Sequence, residues 1–290
     1  MYLNFLSGEF PEHLRFGVGV YVDRFVNWLL RDFSHVFDSL VEGGLAFLLT
    51  VESFLRWLPW WMICLLVFLA AWKARNWLSG LLYAFFLFLL GIFGLWDMMI
   101  QTLAIVLTSV VICFILGIPV GIFMAYNEKA NNVIRPILDA MQTIPSFVYL
   151  IPAVMLFGMG KIPAVFATTV YAVAPVIRLT DLGIRRVSKE MVEAAHSFGS
   201  STWQTLTKVQ LPQALPTIMT GVNQTTMMAL AMVVISSMIG AEGLGMEVLI
   251  ANQRLNIAKG FEAGISIVFL AIIIDRISQG AVNRYRFPEN

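Results

Sequence analysis

Hydrophobic positions along this chain fall into long, almost unbroken blocks divided by short polar connections. Seven such blocks occur, at approximately 57–73, 77–96, 98–126, 137–158, 162–179, 215–240 and 262–282. A helix needs roughly 20 mostly apolar residues to cross the hydrocarbon layer of a bilayer, so the pattern predicts about seven transmembrane helices. The first and fifth blocks are short for a span, whereas the third is long enough to tilt or to protrude. Ahead of them the pattern takes a helical period. Between residues 18 and 41, Val22, Phe25, Val26, Leu29, Phe33, Val36, Phe37 and Leu40 share one face, with Asp23, Arg24, Asn27, Arg31, Asp32 and Asp38 on the others. This predicts an amphipathic helix lying on the membrane surface, or one packed on another protein. Residues 45–55 continue it, but Glu52 and Arg56 make that piece a poor spanning segment.

Composition agrees with the pattern. The chain has 290 residues, 59% hydrophobic and only 13% charged, with a mean hydropathy of +0.79. These values belong to an all-α integral membrane protein. The net charge is +1 and the basic residues are scattered, so nothing points to nucleic acid. The first 56 residues are charged throughout and lack an apolar core beside a small-residue cleavage site, so no cleaved signal peptide is expected.

Charge does inform orientation. Twelve of the nineteen Lys and Arg fall in alternate connections: Lys73 and Arg75; Lys129 and Arg135; Arg178, Arg185, Arg186, Lys189 and Lys208; Arg276, Arg284 and Arg286. The opposite short connections hold only Lys161, Arg254 and Lys259. By the positive-inside rule the N-terminus is expected outside and the C-terminus in the cytoplasm.

Little in the sequence offers covalent or metal chemistry. Cys64 and Cys113 sit inside apolar blocks and behave as small hydrophobes. The three histidines, His13, His35 and His196, belong to no HExxH motif, and there is no CxxC. Asp97, Asp139, Asp181 and Asp275 lie near the ends of spans rather than paired at depth, which weighs against an intramembrane enzyme. No GxxxxGK[ST] occurs, so the chain carries no P-loop for nucleotide phosphates. GAEGLG (240–245) is not a GxGxxG fingerprint and is expected to be a periplasmic turn closing the sixth span.

One connection is unusually structured. In EAAHSFGSSTWQTLTKVQLP (193–212), preceded by Ser188, the serine is placed to cap a helix over KEMVEAAHSF, and Gly199 to stop it in a left-handed conformation. Ser201 and Gln204 have the spacing of a capping box for a second short helix, with Trp203, Leu206 and Val209 as an apolar stripe and Pro212 ending the element before Pro216 opens the next span. The loop is thus either a docking device for a cytoplasmic partner or a solvated connector.

Its residues also match a known signature. Glu193, Ala194, Ala195, Gly199, Val209, Leu211 and Pro212 fit E-A-A-x3-G-x9-I-x-L-P, the EAA motif of ABC importer permeases, with Val209 in the isoleucine position. MQTIPSFVYLIPA (141–153), RLTDLGIRRV (178–187), AMVVISSMIGAEGLG (231–245) and EAGISIVFLAIIIDRISQ (262–279) further resemble permease subunits of the glycine betaine and proline betaine importers. The resemblance covers about residues 97–280. It implies a five-helix type I ABC importer permease core at 97–290 with its coupling loop at 188–212, two accessory helices at 57–96 and an extracytoplasmic amphipathic region at 1–56. It also implies a homodimer, ABC ATPase subunits that bind ATP and Mg in place of any cofactor here, and an external substrate-binding protein, expected as a separate polypeptide because the sequence ends at Asn290. Transport of an osmoprotectant across a prokaryotic plasma (inner) membrane, by a chain that is not itself an enzyme, follows from the same resemblance.

The pathway is less legible. The sixth span carries Asn223, Gln224, Thr225 and Thr226, then Met227, Met228 and Met232, and polar groups at such depth face protein or a water-filled cavity. Asn223, Met227 and Met232, with Gln142, Pro145 and Tyr149 of the fourth span, are candidate pathway residues; ordinary packing between spans explains them equally. Aromatic faces hold quaternary ammonium ions, but Trp57, Trp60, Trp61, Trp72, Trp77 and Trp96 stand at span ends, where an interfacial belt accounts for them. An importer for choline, carnitine, taurine or another sulfonate shares the same loop. A channel or tension sensor would need neither ATP nor a capped docking loop.

Overall fold

Apolar blocks of this length can satisfy their backbone groups in a bilayer only as helices, and the computed structural model describes residues 17–284 as helices joined by short turns, with no strand among them. His13, Arg15 and Arg286 lie outside the described residues. The elements are α1 (Val18–Asp32), α2 (Ser34–Trp57), α3 (Trp60–Ala74), α4 (Trp77–Ile92), α5 (Trp96–Tyr126), α6 (Glu128–Thr143), α7 (Leu150–Phe157), α8 (Lys161–Arg185), α9 (Lys189–Ser197), α10 (Thr202–Thr205), α11 (Leu211–Ile235), α12 (Leu244–Gln253) and α13 (Ile257–Arg284). The chain divides into two units at Gly43/Gly44, inside α2.

In the first unit the expected amphipathic helix is broken rather than continuous. Phe33, at φ −118°, separates α1 from α2. Val22, Phe25, Phe33, Val36 and Leu40 are exposed.

In the second unit α5 and α8 run parallel, in contact from Ser109 against Val165 to Met124 against Arg185. Glycine makes the approach possible: a Cβ on Gly121 would lie 2.6 Å from the Ile177 carbonyl oxygen, and one on Gly117 would lie 2.5 Å from Val176. Small residues at crossings let spans pack backbone against backbone where no hydrophobic drive exists between helices in lipid. α11 crosses the other side of α8 in the opposite direction, with Gly221 against Pro175 and Gly183 against Ala214. α13 packs on α11, and the α3–α4 hairpin packs on α13, with Phe86 stacked on Phe269 at 4.2 Å.

Two expectations about spans need correction. Residues 137–158 are not one straight span: α6 and the segment Ser146–Phe157 meet at 109°. The cause is local, because Pro145 forces the residue before it out of the helical region, and Ile144 indeed sits at φ −68°, ψ 129°. Despite its Glu52 and Arg56, α2 passes by length and composition as one of five helices among the described residues that are long and apolar enough to cross a membrane. α3 and α4, at 15 and 16 residues, are shorter than that criterion. The turn after the sixth span is followed by a helix, α12, that has no counterpart among the apolar blocks of the sequence.

Candidate functional site

The polar loop is built by local hydrogen bonding. Ser188 caps α9, its Oγ accepting from the Met191 N–H at 3.4 Å. Its hydroxyl donates to the Glu190 carboxylate, and this bond holds Glu190 below the ordinary carboxylate range. At the other end α9 closes in a Schellman motif. The Ser200 N–H donates to the Ala195 carbonyl at 3.1 Å and the Gly199 N–H to the His196 carbonyl at 2.9 Å, with Gly199 at φ +80°. The capping box is present in full: Ser201 N–H donates to Gln204 Oε1 at 2.9 Å and Gln204 N–H to Ser201 Oγ at 3.3 Å.

The expected end of the second helix is a correction. Pro212 terminates nothing: α10 passes through a π-helical turn, Leu206–Gln210, directly into α11, and both Pro212 and Pro216 lie inside it. Proline is tolerated at the first turn of a helix because its missing N–H has no partner there. The stripe divides too. Leu206 is buried with Ile184, Ala214 and Ile218, whereas Trp203 points outward and is 71% exposed.

Of the motif residues, Glu193, Ala194, Gly199 and Pro212 are exposed, and Ala195, Val209 and Leu211 are half-buried. Beside them stands Phe198, 92% exposed and not singled out from the sequence. An aromatic residue directly before the capping glycine was the available signal.

The loop is fastened to the end of α5, beside a junction that ties the ends of α5, α6 and α8 to one another. The Tyr126 hydroxyl bonds Gln210 Oε1. Arg185, also missed, commits all three guanidinium nitrogens: Nε to Asp181 at 2.6 Å, Nη1 to Glu128, and Nη2 to the Met124 carbonyl at 2.6 Å. A cavity of about 240 Å³ lies against this junction, lined by Tyr126, Arg185, Lys189, Glu193 and Gln210 among others. Such a mount moves with the helices that carry it.

The pathway candidates do not form one group. Gln142 and Gln224 face a common cavity of about 360 Å³ beside the Arg178–Asp139 ion pair. Asn223 instead donates to Asp275 on α13 at 3.1 Å. Tyr149 packs edge-on against Tyr171, with ring centroids 5.8 Å apart, and donates to the Met141 carbonyl. Met232 is fully buried beside Leu150 and Ala153, Met227 is half-buried, and Pro145 is exposed at the break after α6.

Residues 117–286 match the family described as binding-protein-dependent transport system inner membrane component. The chain belongs to this family. It is a multi-pass inner-membrane permease component, and membership implies an ATPase and a substrate-binding partner. Similar to it are the glycine betaine transport system permease protein OpuAB of Bacillus subtilis (44% identical over 89% of this chain and 92% of that one) and the glycine betaine/carnitine transport permease protein GbuB of Listeria monocytogenes (47% identical over 89% and 93%). The glycine betaine/proline betaine permease ProW of Escherichia coli is 44% identical over 89% of this chain and 73% of its own. Among solved structures, an inward-facing MetNI methionine ABC transporter aligns with a TM-score of 0.60 over 64% of this permease and 94% of that chain, at 21% identity. That likeness concerns the fold.

Proposed function

We propose that this permease is the membrane-spanning subunit of an ATP-driven importer for a compatible solute, glycine betaine or proline betaine. The observation that carries the reading is the relatedness of 44% or more, along nearly the whole chain, to permeases named for glycine betaine. It acts as a homodimer, each copy receiving solute from an external binding protein on the side where the N-terminus lies. Residues 1–56 form the extracytoplasmic region, 57–96 the accessory helices and 97–290 the core. In the cytoplasm the loop 188–212 docks an ABC ATPase that binds ATP and Mg, with Glu193, Ala194, Ala195 and Gly199 in the docking helix and its corner, and Val209, Leu211 and Pro212 in the return.

The chemistry of the chain is mechanical. Closure of the ATPase pair displaces α9; the Arg185 junction and the Tyr126–Gln210 bond pass that displacement to α5, α6 and α8. Gln142, Pro145 and Tyr149 near the α6–α7 break, and Asn223, Met227 and Met232 on α11, belong to the path that then changes its exposure.

The test is uptake into liposomes holding the permease with its ATPase and the binding protein. ATP-dependent accumulation of labelled glycine betaine is expected. Accumulation of taurine but not betaine would reassign the solute, and solute passage without ATP would replace the importer by a channel.

A further inference from the structure

A second ionic cluster lies at the opposite end of α5 and α8 from the coupling loop, and its centre is on α2, outside the residues that match the family. Glu52 is buried, at 7% exposure. Its Oε1 accepts from Arg56 Nη2 at 3.1 Å and its Oε2 from Lys161 Nζ at 2.9 Å. Arg56 continues to Asp97, at the start of α5, at 2.8 Å. Lys161, the first residue of α8, continues to Glu242 at 3.4 Å, and Gln101 of α5 donates to the same Glu242 oxygen at 3.1 Å. The turn that carries Glu242 is held from both sides: the Gly160 N–H donates to the Ile239 carbonyl at 2.9 Å, and the Leu244 N–H to the Thr102 hydroxyl at 2.9 Å.

A carboxylate withdrawn from water needs a cation close by, and Arg56, one helical turn along, would supply it. The second cation, from a residue 109 positions away, does more than neutralise. Lys161 follows Gly158 and Gly160, at φ +74° and +122°, glycine conformations that leave this connection little stiffness of its own. Its position is set by what its first side chain grips.

We infer that Glu52 is a positioning residue for transport: it joins the starts of α5 and α8 and the α11–α12 turn into one rigid rim at the mouth that receives solute from the binding protein. This rests on the function proposed above, which puts that mouth outside the cell. Met159 and Met238, 79% and 66% exposed, stand on the two connections so joined. A rim fixed in advance spares the binding protein the ordering of these turns when it docks.

The experiment measures ATP hydrolysis by the complete reconstituted complex against the concentration of binding protein loaded with glycine betaine. In Glu52→Gln and in Lys161→Gln the half-saturating concentration is expected to rise about tenfold, with the maximal rate within about twofold of wild type and no further rise in the double variant, since both changes cut one linkage. An unchanged half-saturation in the assembled variants, or a fall in maximal rate alone, would reduce Glu52 to a staple for α2 and overturn the inference. If Glu52→Gln does not assemble, Glu242→Gln, at the exposed end of the same network, carries the same expectation and the same risk. A wild-type complex whose hydrolysis ignores the binding protein would instead sink the importer reading.

Discussion

The two ends of the parallel pair α5 and α8 are both fastened by ionic networks, and the networks differ in where their parts come from. At the coupling-loop end the hub is Arg185, whose partners Asp181, Glu128 and Met124 lie on α8, α6 and α5, within the matched family region. At the far end the hub is Glu52 of α2, which that region does not include. The coupling end also exposes the large aromatics Phe198 and Trp203 on a capped, stiff loop. One end is therefore tied together by residues of the matched region and presents the exposed loop proposed to dock the ATPase, whereas the other draws on a helix outside that region to join its turns.

Substitutions at either end test this contrast, the severest first. At Gly199, valine would have to adopt φ +80°, which costs on the order of 1–3 kcal/mol for a non-glycine residue, and the corner of the loop should open. Gly199→Val and Glu193→Lys should abolish co-purification of the ATPase and ATP-driven uptake while the spans stay inserted; full uptake in both would end the coupling assignment. Next come Phe198→Ala and Trp203→Ala. Both side chains are exposed, so permease stability should change by less than about 0.5 kcal/mol, while binding of the ATPase, measured by titration in detergent, should weaken by about 2 kcal/mol for whichever serves as an anchor.

Arg185→Gln separates docking from transmission. It should leave ATPase binding near wild type, lower thermal stability by about 1–2 kcal/mol because Asp181 loses its charged partner, and reduce solute moved per ATP several-fold. Equal losses of binding and transport would make Arg185 part of the docking surface instead. The smallest effect belongs to Ser188→Ala, which removes the cap of α9 at a cost of about 0.5–1 kcal/mol and lets the Glu190 pKa rise toward its ordinary value, because the largest cause of its lowering is gone. In the wild type that pKa is depressed in the folded loop. Its contribution is therefore fully present above the ordinary carboxylate pKa and fades as pH falls through the depressed one. ATPase affinity followed through that acidic window should decline in the wild type and show a weaker decline in Ser188→Ala.

What could be read from the chain was local. Ser188, Gly199 and the Ser201–Gln204 pair act on backbone groups within four residues, so spacing alone announced them. The break at Pro145 was equally local but was hidden by averaging apolar character across it. Pro212 misled because a proline after a short helix marks a stop or a first turn with equal economy, and only the π-helical turn before it decides. The α1–α2 break at Phe33 carries neither glycine nor proline to announce it. The two hubs were out of reach: half of each is an i,i+4 pair, Asp181–Arg185 and Glu52–Arg56, but Glu128 and Lys161 are brought in by tertiary packing.

The α3–α4 hairpin has a consequence for the lipid. Trp60 and Trp72 are exposed near the two ends of α3, and at 1.5 Å per residue they stand only about 18 Å apart along the axis. A typical hydrocarbon layer is about 30 Å thick. A hairpin this short can span with an indole at each interface only where the acyl chains beside it compress toward it. Bilayers of shorter chains would supply that shape without strain, so the thickness of the surrounding lipid would bear directly on how this hairpin is seated.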